Sequence, residues 1–100
     1  MKEEFVFLKS NRKDKKFMVF NVESGKVVHF GAKNYSDFTI HKDEERKKRY
    51  IDRHRKNENW EKSGIGSAGF WSLWILWNKP SLEKSIKDTE KRFGIKIHQM

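Results

Sequence analysis

One hundred residues make a chain of about the usual size for one domain. With 23 Lys and Arg against 14 Asp and Glu, its formal charge of +9 favours polyanionic partners, nucleic acid ahead of membrane. The lack of cysteine excludes a disulfide framework and thiolate metal sites. The opening MKEEFVFLKSNRKDKK has too short an apolar run for a signal peptide, so a soluble intracellular protein is expected.

Phe5 to Leu8, Phe17 to Val22 and Val27 to Phe30 are short runs of aromatic and β-branched residues divided by polar turns. That is the pattern of an antiparallel meander. Gly25, in the second connection, can take the positive φ of a hairpin turn. The first two strands carry apolar side chains on both faces, Phe5 and Phe7 against Val6 and Leu8, then Met18 and Phe20 against Phe17 and Val19. One face can lie under helices; the other then needs a second layer, a flanking segment or another subunit. Beyond Gly31 the turn residues Asn34, Ser36 and Asp37 lead into the β-prone Phe38, Thr39 and Ile40, where a short fourth strand or an extended arm is expected.

From Asp43 to about Asn57 the chain lacks Gly and Pro and opens on three acids, which stabilise a helix N-terminus. The apolar stripe of this helix is thin, Tyr50, Ile51 and the ring of His54, so it should pack through one edge only. Next comes SAGFWSLWILW, from Ser67 to Trp77, holding three of the four tryptophans. Apolar nearly all round, it is expected to be a central helix, capped by Ser67 and anchored by Trp74. A membrane span needs roughly 20 apolar residues, and Asn78, Lys79 and Pro80 stop this run well short. A docking surface is the alternative use of so much tryptophan. Leu82, Ile86, Thr89 and Phe93 share one face of a last helix that Ser81 or Asn78 can cap and Gly94 ends. Ile95 and Ile97 alternate with polar residues in the tail, as an edge strand would.

Charge is the strongest functional signal. Between Arg46 and Lys56 stand seven Lys or Arg and one acid, Asp52, and helical spacing aligns Arg46, Arg49, Arg53 and Lys56. Their mutual repulsion is relieved by an anion, so phosphate contact is expected there rather than a merely solvated face. Arg12, Lys13, Lys15 and Lys16, in the first connection from Ser10 to Lys16, extend the patch if that hairpin tip approaches the helix. No base-reading motif accompanies these cations. The spelling GIGSAG at Gly64 to Gly69 lacks the strand, long helix and parallel unit of a dinucleotide site, and is better taken as a link in which Gly69 allows close packing. His29, His41, His54 and His98 have no metal-ligand spacing, and HKD at His41 to Asp43 lacks a nucleophile context. Asp37 and Ser36 fit turn chemistry, and Asp43 fits the start of a helix.

The segments GAKNYSDFTIHKDEERKKRYIDRH, AGFWSLWILWNKPSL and SIKDTEKRFG, from about Gly31 to Gly94, resemble a family of small uncharacterised basic proteins of large nucleocytoplasmic DNA viruses. The resemblance implies a viral setting, in which such proteins are packaged with the genome or the shell. It implies no enzymatic activity and carries over no functional residues.

The expectation is therefore a single α+β domain over 1–100, mainly strand in 1–41, helical in 42–94, with a tail at 95–100. It should have an N-terminal antiparallel meander of three or four strands and then three helices, the middle one tryptophan-rich and buried. Its expected role is non-catalytic, with no cofactor and no metal: phosphate-directed, non-specific nucleic-acid binding in genome packaging or a virion core. The residues expected to carry it are Arg46, Lys47, Arg49, Arg53 and Lys56, supported by Arg12, Lys13, Lys15 and Lys16. The alternative is a structural minor capsid or scaffold protein that meets acidic viral proteins or further copies of itself. Either belongs in the virion or the host cytoplasm or nucleus, neither secreted nor inserted in a membrane.

Overall fold

Alternation along the three aromatic runs sets the register of a sheet. The computed structural model describes residues 2–100, and in it these runs form β1 (Glu3–Lys9), β2 (Lys15–Asn21) and β3 (Val27–Ala32), paired antiparallel as expected. The tail forms an edge strand, β4 (Ile95–Gln99), which runs parallel to β1. The order is β3-β2-β1-β4, so the sheet is mixed. With Phe7 opposite Val19, Phe17 opposite Phe30 and Phe5 opposite Ile97, one face collects Phe5, Phe7, Val19, Phe30, Ile95 and Ile97, all buried.

The other face carries Val6, Leu8, Met18 and Phe20, all half-buried, with Val22 and Val27 about half exposed, and none of them joins the core cluster. The second layer that this face called for is not supplied by the described residues. At its margin His98 and Glu4 pair at 2.7 Å, and this contact holds the Glu4 carboxyl below its ordinary pKa.

The expected fourth strand after Gly31 does not form. Phe38–His41 is instead a single helical turn, α1. Its β-prone residues are overridden by a cap: the Asp37 carboxylate accepts from the Thr39 N–H at 2.9 Å and from the Thr39 hydroxyl. The same carboxylate holds the Lys16 ammonium at 2.6 Å in an almost buried ion pair, and Phe38 goes to the interior. Next, Asp43 caps α2 (Glu44–His54), accepting from the N–H groups of Glu45 and Arg46. No residue of α2 is fully buried, in keeping with its thin apolar stripe.

The tryptophan stretch begins as expected, with the Ser67 hydroxyl accepting from the Phe70 N–H at 3.2 Å at the start of α3 (Ala68–Trp71). It then widens into a π-helical turn over Ser72–Leu76. A π-turn closes on i→i+5, which lets Leu76 as well as Ile75 follow Trp71 onto the sheet. Trp71, not Trp74, is the central residue. Its indole is fully buried, lies edge-on to Phe5 at 5.1 Å, and donates through Nε1–H to the Ile65 carbonyl at 2.7 Å. Trp74 stays partly exposed, with Nε1–H donating to the Trp60 carbonyl and the Arg92 guanidinium 4.6 Å from its ring.

α4 (Leu82–Phe93) closes the layer, capped by Ser81, with Ser85, Ile86 and Thr89 buried. The Thr89 hydroxyl lies 3.2 Å from the Trp74 carbonyl and 2.8 Å from that of Ser85, which ties α4 to the tryptophan segment. Removing a buried tryptophan side chain costs about 3–5 kcal/mol, a large share of the ~5–15 kcal/mol that holds such a domain. Urea denaturation should therefore show Trp71→Ala to be close to unfolded, and Trp74→Ala to lose about half as much stability.

Candidate functional site

Helix α2 is charged on most of its surface, so its placement depends on the few side chains that can pack. Tyr50 lies flat on Trp77, with ring centroids 4.3 Å apart and planes 5° from parallel. His54 packs on Tyr50 with ring centroids 4.2 Å apart, oriented by its Nδ1–H, which donates to the Tyr50 carbonyl at 3.0 Å. On the neighbouring edge the Lys47 ammonium donates to the Asn78 carbonyl at 2.7 Å and sits 5.0 Å from the centre of the Phe38 ring. The Asn78 amide in turn donates to Asp88. Burial raises the Asp88 pKa, but hydrogen bonds from Asn78 and Arg92, helped by the Arg92 charge, outweigh it and leave the carboxyl below its ordinary value.

With Tyr50 fixed, the residues one turn before it and one turn after it, Arg46 and Arg53, face the same side. They line a cavity of about 550 Å³ between α2 and the sheet, and Lys15 and Lys16 of β2 line it as well. The back wall depends on two glycines. Gly31 has φ +81°, and a Cβ there would come within 2.7 Å of Leu76 Cδ1. At Gly69 a Cβ would overlap the Glu58 carboxylate, so the missing side chain is what lets Glu58 turn inward. This is the close packing expected of the GIGSAG link, and it makes room for an acid.

Four cations and two acids line the cavity. The Asp37 carboxylate is taken by Lys16, which leaves Lys15, Arg46 and Arg53 against Glu58. Burial, reinforced by the Glu58 charge, pushes the Tyr50 hydroxyl up to about 12, while Arg53 and a hydrogen bond with Ser72 oppose it only in part. Tyr50 therefore stays a neutral phenol. The arrangement suits an anion held between two walls.

The expected cations fall into three groups. Arg46, Arg53, Lys15 and Lys16 meet at the cavity. Arg49 and Lys56 are exposed elsewhere on or beyond α2, with Arg49 3.9 Å from Glu45; Arg12 pairs loosely with Asp14 at 3.8 Å; Lys13 is exposed in its loop. Lys47 is turned away from the cavity to Asn78 and Phe38, so its first role is to hold α2 in place. Glu58 and Tyr35 also line the cavity and were not singled out from the sequence as site residues. Tyr35 had one signal there, an aromatic isolated among the turn residues Asn34, Ser36 and Asp37. Among the described residues no three His, Asp or Glu side chains gather as a metal would require, and no helix is long and apolar enough to cross a membrane.

Fold and site together define an α+β domain with a basic cleft between its sheet and a peripheral helix. The chain belongs to a family of unknown function, DUF5754, whose model matches residues 5–54. That span runs from β1 through α2, so it takes in Lys15, Tyr35, Arg46 and Arg53 and stops short of Glu58 and Trp77. No curated protein and no solved structure matches the chain.

His41 also packs near Trp77, with ring centroids 5.2 Å apart. The Asp43 N–H donates to its Nδ1 at 2.9 Å, which puts the proton on Nε2, an atom cut off from solvent and without a partner. Burial, followed by the Arg46 charge, lowers its pKa from 6.5 despite Asp43 and Asp37. The folded state therefore favours neutral imidazole, and the unfolded chain takes up the proton first. Stability supplied at neutral pH is lost as pH falls below about 6.5. Urea denaturation at about pH 7.5 and pH 5.5 should show a smaller acid loss for His41→Asn than for the unsubstituted protein.

Proposed function

We propose that this protein binds nucleic acid through phosphate contacts and does no chemistry on it. The observation that carries this reading is the convergence of Lys15, Arg46 and Arg53, from two separate elements, on one cavity in which a single carboxylate, Glu58, offsets them. Cations held apart by a folded scaffold gain from an anion placed between them and release its counterions on binding. Arg49 and Lys56, exposed along and beyond the same helix, supply further phosphate contacts. The similarity of Gly31 to Gly94 to small basic proteins of large nucleocytoplasmic DNA viruses supports a place for this binding in genome packaging or a virion core.

Binding of random-sequence duplex DNA should appear at low salt and weaken steadily as salt rises. The double substitution Arg46→Gln with Arg53→Gln should flatten the salt dependence by about two phosphate contacts, because each lost contact lowers the slope by about one. Affinity that is absent at low salt, or indifferent to salt, contradicts the reading.

A second reading, a structural minor capsid or scaffold protein, is supported by the uncovered sheet face with Val6, Phe20, Val22 and Val27. It requires self-association or capture of shell components through that face. Sedimentation of the protein freed of nucleic acid should then give an assembly that Phe20→Lys disperses. A monomer unaffected by Phe20→Lys leaves the phosphate reading alone.

A further inference from the structure

We infer that the cavity accepts one unpaired nucleotide of a single-stranded nucleic acid, its phosphate between Lys15 and the α2 arginines and its base stacked on Tyr35. This rests on the phosphate reading above and adds which form of nucleic acid the site selects.

Three observations converge. The first is shape. Lys15 stands on β2 and Arg46 and Arg53 on α2, so the cations that line the cavity come from two separate elements instead of one helix row. Arg46 and Arg53 lie seven residues apart, about 10 Å along the helix axis. A double helix meets a protein with a broad convex surface. It can touch the outer row through Arg49 and Lys56, but it cannot enter a cleft of about 550 Å³, a size that suits a small ligand.

The second is Tyr35. Tyr35 is 73% exposed at the edge of this cavity, far more than any other aromatic residue of the chain. An exposed ring beside converging cations is a platform for a base, since every base offers a stacking face. Its loop is fixed from behind, because Asp37, two residues on, is locked to Lys16 and to the start of α1.

The third is Glu58. It lines the same cavity, makes no ion pair among the described residues, and bears on Tyr50 strongly enough to help raise its pKa. A carboxylate there opposes a second phosphate and accepts from the N–H groups of a base. A site for bare phosphate has no use for it. A site for a nucleotide has one part of each kind.

The shared chemistry, a base joined to a phosphate, also describes a free nucleotide, and the arms of the test separate the two sources. Fluorescence anisotropy would compare a labelled oligothymidylate with a duplex of the same length, each against the unsubstituted protein, Tyr35→Ala and Tyr35→Phe. Tyr35→Ala should weaken single-strand binding about tenfold and duplex binding less than about twofold, and Tyr35→Phe should keep both. Thymidine monophosphate should displace the strand only in large excess over the equivalent concentration of strand nucleotides. Circular dichroism melting should be unchanged, as Tyr35 is exposed. The inference is overturned if Tyr35→Ala spares single-strand binding or weakens both forms equally. It is equally overturned if the mononucleotide displaces the strand at matching nucleotide concentration. Failure of the unsubstituted protein to bind either nucleic acid would remove the phosphate reading along with it, whereas binding without discrimination at Tyr35 removes the inference alone.

Discussion

An eleven-residue helix with no fully buried side chain is held to its domain chiefly by one ring: Tyr50 of α2 lies flat on Trp77, with His54 packed on it. Trp77 in turn ends the segment that carries Trp71 and Ile75 into the core. The contact gives a charged helix a fixed rotation. Arg46, Tyr50 and Arg53 share a face, so seating the tyrosine presents both guanidinium groups to the sheet and to Lys15. Together with the Lys47 contacts to Asn78 and Phe38, the stack sets the rotation on which the cleft depends.

Holding the arginines there has a cost that the rest of the helix offsets in part. Like charges at i+3 and i+4 repel. Asp43 as cap, Glu44 and Glu45 in the first turn and Arg53 with His54 in the last all lie favourably in the helix dipole. Lys47 is relieved differently, by the Asn78 carbonyl and the Phe38 ring. Lys16 is neutralised by Asp37. Lys15, Arg46 and Arg53 are left with one carboxylate, Glu58, among them in the cavity they share.

Much of the fold could be read from pattern, because alternation and helical spacing are local properties. The three strands, the edge strand at Ile95, the Ser67, Asp43 and Ser81 ends and the buried face of the last helix all follow from neighbours within a few residues. What escaped is set over distance. Phe38 to Ile40 spell a strand, but the Asp37 cap and its partner Lys16, 21 positions away, fix a helical turn. Trp74 looked central by α-helical spacing, yet the wide turn after Trp71 answers to the packing of Phe5 and Phe30 beneath it. In the site, the cation types and two of the clustered positions were visible on α2. The cleft was not, because it depends on β2 arriving opposite α2 and on Gly69 leaving room for Glu58.

The central claim is that ligand binding is localised to the cleft between α2 and the sheet. The most direct measurement is an amide and indole NMR titration of the folded protein with nucleic acid at low salt. The account predicts shifts concentrated at Lys15 and Lys16, at Tyr35 to Asp37, along Arg46 to Arg53 and at the Trp77 indole, with the outer sheet residues Met18, Phe20 and Val27 unmoved. Shifts confined to the outer sheet face, or spread evenly over the exposed lysines with the cleft silent, would contradict it.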